Sequence, residues 1–338
     1  MNTPFEREQE AAVAAVRQAA KLCRSVAAGI RPDVVDKKDK SPVTVADYGS
    51  QAAVCRALGT AFPNDPIVAE EDSEELRNPT NAAILDQVVQ HVQALGMDGL
   101  QTATEICEWI DRGGTRGVPG RFWTLDPIDG TKGFLRREQY AVALALIVDG
   151  QVAVAALACP NLPLEPGIEG GEIGSIFTAV RGQGAFVLPL AGDFDTGGGK
   201  TLRPIRVSPR ADPATARFCE SVESGHSAHG DSAAIAARLG ITEPPARLDS
   251  QAKYGVVARG EAEIYLRMPT RADYREKIWD HAAGVLIVEE AGGTATDIAG
   301  RPLEFHHGRE LSANRGVIVT NGRLHAQLLE TLQSLGLG

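Results

Sequence analysis

The sequence predicts a mixed α and β protein organised in two domains. The chain has 338 residues, which is longer than one hydrophobic core usually serves. After residue 200, apolar runs bounded by turn signals alternate with segments of helical periodicity, a pattern that suits an α/β domain. Before it, Asp149-Gly150 separates two runs rich in Val, Ala and Leu, 140–148 and 151–158. This dipeptide is a strong hairpin signal, so the two runs are predicted to pair as strands.

Two helical segments open the chain. Residues 5–29 are rich in Ala, Glu, Gln and Arg, with apolar residues near helical spacing. A polar loop over 37–48 precedes a second helix that runs to about Ala61, and Asp47 lies where that helix is expected to begin. Asp47 is therefore either an N-cap that accepts backbone hydrogen bonds or a catalytic residue, and the sequence leaves both interpretations open.

The remaining elements follow from the same patterns. Helices are expected over 81–111, with an interruption near 96–99, and over 233–239 and 278–290. Further strands are expected at 67–69, 122–125, 176–180, 185–190, 205–208, 218–222 and 256–258. The run Gly197-Gly198-Gly199 is the best candidate boundary, which gives a first domain over 1–200 and a second over 201–338.

Composition excludes several classes of protein. A net charge of −10 argues against general affinity for nucleic acid. No segment approaches the ~18 consecutive apolar residues that a membrane span needs, and the N-terminus has no signal or transit pattern, so a cytoplasmic protein without a membrane partner is expected. Five scattered cysteines without paired spacing indicate neither a disulfide framework nor a zinc site.

The stretch Asp126–Thr131, Asp-Pro-Ile-Asp-Gly-Thr, carries the clearest chemical signal. Pro127 is expected to end the preceding strand, which would turn Asp129 toward the first carboxylate and expose the carbonyl of Ile128. Gly130 would let the backbone approach a ligand, beside the threonine hydroxyl. Hard cations such as Mg²⁺ take oxygen ligands of this kind together with substrate phosphates. The alternative is an Asx-rich surface turn.

Two further acidic positions could converge on the same site. The strand 67–69 ends at Glu70, which repeats the arrangement of a strand that delivers a carboxylate to its end. Asp280 opens a helix that continues to the Gly292-Gly293 pair. Each also has an ordinary interpretation, because acid clusters are commonly solvated and an aspartate in a first helical turn favours the helix dipole.

Together, these motifs resemble a known family. Ser-Pro-Val-Thr-Val-Ala-Asp, Ala-Glu-Glu-Asp-Ser, Asp-Pro-Ile-Asp-Gly-Thr-Lys-Gly-Phe and Ile-Trp-Asp-His-Ala-Ala-Gly occur in the order found in lithium-sensitive, metal-dependent phosphatases related to inositol monophosphatase. The similarity spans roughly residues 36–300. Blocks at 221–229, 248–254 and 264–267 resemble the 3′(2′),5′-bisphosphate nucleotidases within that superfamily, although Ala228 stands where the family often has serine and Ala69 where glycine is common.

The resemblance implies a layered αβαβα sugar-phosphatase fold, with an α+β first domain, an α/β second domain and the metal site between them. It implies up to three Mg²⁺ ions held by Glu70, Asp126, the Ile128 carbonyl, Asp129 and Asp280. Asp47 and Thr131 would orient the attacking water. The substrate would contact Gly130, Thr131, His226, Ser250, Lys253 and Arg267, the last four at the nucleotide end.

The implied reaction is hydrolysis of the 3′-phosphate of adenosine 3′,5′-bisphosphate, or of its 5′-phosphosulfate form, by in-line attack of a metal-activated water without a phosphoenzyme. The partner would be a small phosphorylated nucleotide, bound by a monomer or homodimer. Two alternatives stay open: an inositol polyphosphate 1-phosphatase or inositol monophosphatase, and a non-catalytic nucleotide or metal sensor. Without the resemblance, the four residues of the nucleotide end would be interpreted as ordinary loop, turn and strand-edge positions.

Overall fold

The computed structural model describes residues 4–29, 41–117, 120–192, 202–222, 229–269, 271 and 273–338. Its α-helices are α1 (Glu6–Gly29), α2 (Ser41–Ala61), α3 (Ala82–Gln93), α4 (Ala103–Asp111), α5 (Thr131–Leu135), α6 (His229–Leu239), α7 (Ala252–Ala258), α8 (Ala282–Glu290) and α9 (His325–Ser334). Its strands are β1 (Ile67–Ala69), β2 (Arg121–Asp129), β3 (Ala141–Val148), β4 (Gln151–Pro163), β5 (Ile173–Val180), β6 (Ala185–Pro189), β7 (Arg203–Ile205), β8 (Phe218–Glu220), β9 (Ala246–Arg247), β10 (Ile264–Arg267), β11 (Thr294–Thr296) and β12 (Val317–Thr320).

The strands form two sheets. One has seven strands in the order β1-β2-β3-β4-β5-β6-β7, and the other has five in the order β11-β12-β10-β8-β9. In the first sheet β1 and β2 are parallel, whereas each later neighbouring pair is antiparallel. The predicted hairpin is confirmed: β3 and β4 pair across Asp149 and Gly150, whose φ angles of 49° and 79° fit the positive φ that a type I′ turn requires at both positions.

Alternate residues of β3 enter two different cores, because successive side chains of a strand point to opposite faces. Val142 and Leu144 pack with residues of α1 and α2. Ala143 and Ala145 pack with residues of α7 and α8. Helices therefore cover both faces of this antiparallel sheet, which explains why β3 and β4 are almost continuous apolar runs.

The second sheet is also covered on both faces. Tyr265 of β10 packs into the same core as α7 and α8, whereas Ile264 and Leu266 pack on the other side with Ile235 of α6 and Leu328 of α9. The order of layers is α1/α2, the seven-stranded sheet, α7/α8, the five-stranded sheet and α6/α9. The predicted αβαβα fold is confirmed.

One predicted helix start is wrong. Helix α2 begins at Ser41, six residues before Asp47, so Asp47 lies inside the helix and is not its N-cap. Proline is accepted in the first turn of a helix because the N–H that it lacks has no partner there. The Ser41-Pro42 pair is therefore a start signal within a segment whose polar composition predicted a loop.

One predicted strand is also wrong. The short β-branched run at 256–258 belongs to α7, whose residues are all buried. Packing between the two sheets outweighs the weak strand preference of two valines. The strand expected at 205–208 is wrong in its bounds: β7 ends at Ile205, residues 206–208 form no strand, and β7 pairs with β6 in the first sheet. The division at 200/201 stays a prediction, because the Gly197–Gly199 run lies outside the described residues. Among the described helices, none combines the length and apolarity needed to cross a membrane.

Candidate active site

The carboxyl ends of β1 and β2 bring two predicted ligands together. The strands are parallel and Ala69 is in register with Leu125, so the next residue of each, Glu70 and Asp126, lies at the same edge of the sheet. The two carboxyl groups are close enough for the charge of Glu70 to act on Asp126. Asp126 is 2% exposed whereas Glu70 is exposed, so this pair forms an acidic wall that leads from the interior of a cleft to its surface.

The turn after Asp126 differs from the prediction in one respect. Strand β2 does not end at Pro127 but continues to Asp129, with an irregularity in its pairing with β3 between Asp126 and Asp129. Pro127 has no N–H for the ladder, so the strand bulges there instead of stopping. The Pro127 carbonyl instead accepts a 2.8 Å hydrogen bond from Ser50 Oγ, and the bulge carries the second carboxylate to the cleft.

Gly130 lies where the chain leaves β2 and enters α5. Its φ is 88°, and a Cβ at this position would lie 2.9 Å from Cβ of Ser250. Both the left-handed backbone and the close approach require glycine. This contact holds the turn at Asp129 and Gly130 against the loop that contains Ser250, one of the predicted nucleotide contacts.

Most predicted site residues line one cleft of about 440 Å³, a volume within the range of small-molecule sites. The structure brings together Glu70, Asp126, Ile128, Asp129, Gly130, Thr131, Ser250, Lys253, Arg267 and Asp280. His226 lies outside the described residues. Asp47 stands beside the acidic wall, close enough to Glu71 and Glu70 for their charges to act on it.

The carboxylates of the acidic wall and the neighbouring Asp129 and Asp280 repel one another when no cation is bound. Burial first, and then the charges of neighbouring carboxylates, raise the pKa of Asp126 well above its ordinary range. Burial and the charge of Asp129 do the same to the pKa of Asp280. Burial together with Glu71 and Asp129 raises the pKa of Glu70 to about 7. Like charges in one pocket disfavour ionisation unless something positive joins them.

The donor set fits a hard divalent cation. Among the described residues, Oδ1 of Asp126 is buried and has no hydrogen-bond partner, which is unusual for a buried polar atom. The cleft is lined by carboxylates from three separate segments and by Ile128. Oxygen donors crowded in this way are the ligands that Mg²⁺ prefers.

Two cations, Lys253 and Arg267, line the same cleft, and we call their part of it the cationic end and that of the carboxylates the acidic end. Lys253 is 3% exposed and its Nζ donates to the Ser250 carbonyl at 2.7 Å and the Leu248 carbonyl at 3.3 Å. Burial lowers the pKa of Lys253, and the charge of Asp129 opposes that shift. Arg267, at the end of β10, pairs with Glu276. Ser250 itself has a φ of 68°.

Gln251 is a site residue that the sequence analysis did not identify. Its backbone N–H donates to Asp129 Oδ2 at 2.6 Å. Its side chain donates to the Trp279 carbonyl at 2.8 Å and accepts from the Gly284 N–H at 3.2 Å. Gln251 therefore ties a carboxylate of the first sheet to the segment that carries Asp280. Its position in the Leu-Asp-Ser-Gln block was visible, but its partners lie far along the chain.

Arg309 is a second residue that was missed. Its Nη2 donates to the carbonyl of Ala69 at 2.6 Å, and its guanidinium lies over the Trp279 ring at 4.5 Å from the centroid. The arginine clamps the end of β1 beside Glu70. A contact between residues 240 positions apart leaves no local sequence signal.

Comparison with known proteins places the fold and site in a family. The model of the inositol monophosphatase family matches residues 6–337. The chain belongs to the inositol monophosphatase family, whose members are metal-dependent phosphatases. The family resemblance predicted from the motifs is confirmed.

The chain is similar to several curated proteins over almost its whole length. It is 43% identical to the 3′(2′),5′-bisphosphate nucleotidase of Emericella nidulans, covering 98% of this chain and 99% of that protein. It is 44% identical to the 3′(2′),5′-bisphosphate nucleotidase of Schizosaccharomyces pombe, covering 96% and 95%. The protein of the same name from Oryza sativa is 45% identical, covering 98% and 94%.

Solved structures show the same fold at low identity. The inositol monophosphatase from Anabaena (Nostoc) sp. PCC 7120 has a TM-score of 0.62 and 20% identity, covering 98% of this chain and 97% of that chain. An IMPase of Thermotoga maritima has a TM-score of 0.61 and 19% identity, covering 95% of each. These similarities agree with the layered architecture described above.

Proposed function

We propose that this protein is a Mg²⁺-dependent 3′(2′),5′-bisphosphate nucleotidase that converts adenosine 3′,5′-bisphosphate to AMP and phosphate. The observation that carries the proposal is that one cleft holds both a group of carboxylates and the cations Lys253 and Arg267. A substrate with two phosphates suits such a cleft, because one can be hydrolysed while the second is gripped. Relatives 43–45% identical carry that name.

At the acidic end, Glu70, Asp126, Asp129, Asp280 and the Ile128 carbonyl are proposed to hold up to three Mg²⁺ ions. When bound, such ions neutralise a phosphate and make an attacking water more acidic. The fit rests on the buried, unpartnered Asp126 Oδ1 and on carboxyl pKa values raised by mutual repulsion. The chain's own contribution is to hold these donors in place through the β2 bulge, Gly130 and Gln251.

Asp47 and Thr131 are proposed to orient the attacking water. Thr131 lines the cleft at the start of α5, and Asp47 is near enough to Asp126 for its charge to act on that carboxylate. The water oxygen would form the new bond to phosphorus in line with the breaking bond to the 3′ oxygen. The proton that the water gives up would be matched by the proton that the 3′ oxygen takes as it leaves as the ribose hydroxyl. Charge neutralisation and positioning supply most of the catalysis in such transfers.

At the cationic end, Arg267 is proposed to bind the 5′-phosphate, because a guanidinium offers paired donors to phosphate oxygens. Lys253 adds a positive charge while its Nζ holds the loop carbonyls of Leu248 and Ser250. Gly130 and Ser250 would meet the ribose side of the substrate where their backbones approach closely. The role proposed for His226 concerns a residue outside the described part of the chain.

The test measures phosphate release from adenosine 3′,5′-bisphosphate and from inositol 1,4-bisphosphate, side by side, with and without Mg²⁺. We expect Mg²⁺-dependent hydrolysis with a strong preference for the nucleotide. Preference for the inositol compound would keep the metal end and overturn the substrate. Tight nucleotide binding without turnover in Mg²⁺ would indicate a sensor instead.

A further inference from the structure

A chain of buried hydrogen bonds runs behind the cationic end of the cleft. Tyr254 Oη lies 2.6 Å from Nδ1 of His281, and Nε2 of His281 lies 3.1 Å from Oε2 of Glu276. Glu276 in turn contacts Nε of Arg267, at 3.3 Å from Oε1 and 3.2 Å from Oε2. Tyr254, His281 and Glu276 are 1%, 1% and 5% exposed, so solvent reaches little of this network.

The donors and acceptors of the chain match in one direction. The Tyr254 hydroxyl donates to Nδ1 of His281, whose Nε2–H donates to Glu276, and the carboxylate also accepts from Arg267. This assignment of the donors and acceptors follows from the network. Burial alone would raise the pKa of Glu276, but the hydrogen bond from His281 and the charge of Arg267 lower it.

The contacts to Glu276 use only one side of the Arg267 guanidinium. Both are made through Nε, the inner nitrogen, and a further hydrogen bond joins the arginine to the Tyr274 side chain. The arginine lines the cleft with 18% of its side chain exposed. A guanidinium whose Nε holds a carboxylate can still present amino groups to phosphate oxygens, whose geometry they match.

Hydrogen bonds also hold the backbone at and near Glu276. The carbonyl of Glu276 accepts a 2.8 Å hydrogen bond from the Leu311 N–H, and the neighbouring Ile278 N–H donates to Arg309 at 3.1 Å. At the far end of the chain, the Tyr254 ring packs on Gly284, where a Cβ would lie 2.3 Å from Cγ of the ring. The whole network is therefore held by rigid elements.

We propose that Glu276 is a positioning residue that fixes Arg267 for the 5′-phosphate, and that His281 and Tyr254 fix Glu276. This inference rests on the proposed function and adds the residues that set its preference for a second phosphate. His281 directly follows Asp280 and precedes α8, so the same segment supports a proposed metal ligand and the phosphate clamp. Groups that hold a binding residue in one geometry reduce the ordering cost of binding.

The decisive variant is Glu276→Gln, which keeps the shape of the side chain and removes its charge. Its kinetics should be measured on adenosine 3′,5′-bisphosphate and on adenosine 3′-phosphate, which carries the same scissile group without the 5′-phosphate. We expect kcat/KM on the bisphosphate to fall by about 10-fold, mostly through KM, as is usual when an outer support is lost, and to stay within about twofold on the monophosphate.

Two comparisons separate positioning from a general structural role. In an Arg267→Ala background, adding Glu276→Gln should cost nothing further on the bisphosphate, because the carboxylate acts through the arginine. Glu289→Gln is the matched control: Glu289 also pairs with an arginine at 3.2 Å, but at the surface, so neither substrate should be affected. Tyr254→Phe, which removes only the far hydroxyl, should lower activity on the bisphosphate alone by about threefold.

Equal losses on both substrates for Glu276→Gln and Tyr254→Phe would overturn the inference, as would full additivity with Arg267→Ala. If Glu276→Gln does not fold, Tyr254→Phe decides the matter by the same substrate comparison. The wild-type protein distinguishes failure of the proposed function from failure of this inference. If the wild type does not hydrolyse the bisphosphate, both are overturned. If the wild type prefers the bisphosphate, the variants test the inference alone.

Discussion

The two ends of the cleft are built on opposite principles. At the acidic end, Asp126, Asp280 and Glu70 repel one another, and one buried carboxylate oxygen lacks a partner among the described residues. At the cationic end, each charge already has partners: Lys253 holds two carbonyls and Arg267 holds Glu276. The first end is completed only by ligands from outside, whereas the second is complete within the chain.

This difference has a consequence for energetics. The acidic end lowers the stability of the protein without cations and gains from their binding, since a ligand that binds only the folded state stabilises it. The cationic end contributes to the fold whether or not substrate is present, because a buried charge that lost its partners would be costly. Substitutions that remove a charge should therefore raise the stability of the cation-free protein at the acidic end and lower it at the cationic end.

The largest effect is expected for Asp126→Asn. Removing this carboxylate should lower kcat/KM by about 10³-fold or more, which corresponds to about 4 kcal/mol of transition-state stabilisation. Without Mg²⁺ the variant should unfold at a higher temperature than the wild type, because one repelling charge is gone. Steady-state kinetics and thermal unfolding in a chelator check both parts. Near-normal activity would refute the metal assignment.

Lys253→Met should show the reverse pattern of stability. It leaves the Leu248 carbonyl without its side-chain donor and the Ser250 carbonyl with only the backbone N–H of residue 253, at 3.3 Å, so we expect a loss of about 1–3 kcal/mol in the free energy of unfolding and a raised KM for the bisphosphate. Lys21→Met, at an exposed position of α1, is the control and should change stability by less than about 0.5 kcal/mol. Chemical denaturation measures both. A Lys253→Met protein as stable as the wild type would contradict the contrast.

Gly130→Ala tests the joint between the two ends. A Cβ there would meet Ser250 at 2.9 Å on a backbone with φ of 88°, so we expect about 2–3 kcal/mol of destabilisation together with lost activity. Gly192→Ala is the matched control, with φ of 85° and no described residue within 4 Å of the added Cβ, and should cost only about 1 kcal/mol for its backbone. Similar costs for the two variants would show that the contact with Ser250 is unimportant.

The acidic end also predicts a pH dependence. The pKa of Glu70 is raised from 4.5 to about 7, so between these values the folded, cation-free state binds more protons than the unfolded state. Stability is then greatest below the unfolded pKa and declines as pH rises through about 7. Thermal unfolding in a chelator should give a lower midpoint at pH 7.5 than at pH 5.5, and Mg²⁺ should remove the difference. An unfolding midpoint that rises between pH 5.5 and pH 7.5 without cations would contradict the proposed repulsion among the carboxylates.

The smallest effect is expected away from the cleft. Arg203 and Glu165 form an ion pair in which each side chain is 46% exposed, and such pairs contribute about 0–1 kcal/mol. Glu165→Gln should therefore leave kinetics unchanged and alter the free energy of unfolding by less than about 0.5 kcal/mol. A larger effect would show that an exposed arginine pair can contribute to stability as much as a buried one does.

The residues alone suggested that the acidic group converges, whereas Ser250, Lys253 and Arg267 were suggested only by the family resemblance. Glu70 and Asp126 each follow an apolar strand, so strand endings and residue chemistry were enough to suggest that they meet. Asp47 was misplaced because its segment, rich in polar and β-branched residues, is helical only through its Ser-Pro start and its packing. Composition could not reveal that.

The supports of the site were missed because their contacts are long-range. Arg309 reaches Ala69, and Gln251 reaches Asp129 and Trp279. The role of Glu276 depends on a hydrogen bond to a histidine in the next turn and on an arginine in a neighbouring strand. Such partners are set by how the layers stack, and periodicity along the chain reports only on each element alone.

The central claim is that one end of the cleft performs the hydrolysis while the other recognises a second phosphate. The most direct test is the ratio of kcat/KM for adenosine 3′,5′-bisphosphate to that for adenosine 3′-phosphate, measured with the wild-type protein at saturating Mg²⁺. We expect a ratio of at least about 10, since a charge-assisted contact contributes about 1.5–3 kcal/mol. A ratio near one would show that the cationic end does not bind the 5′-phosphate.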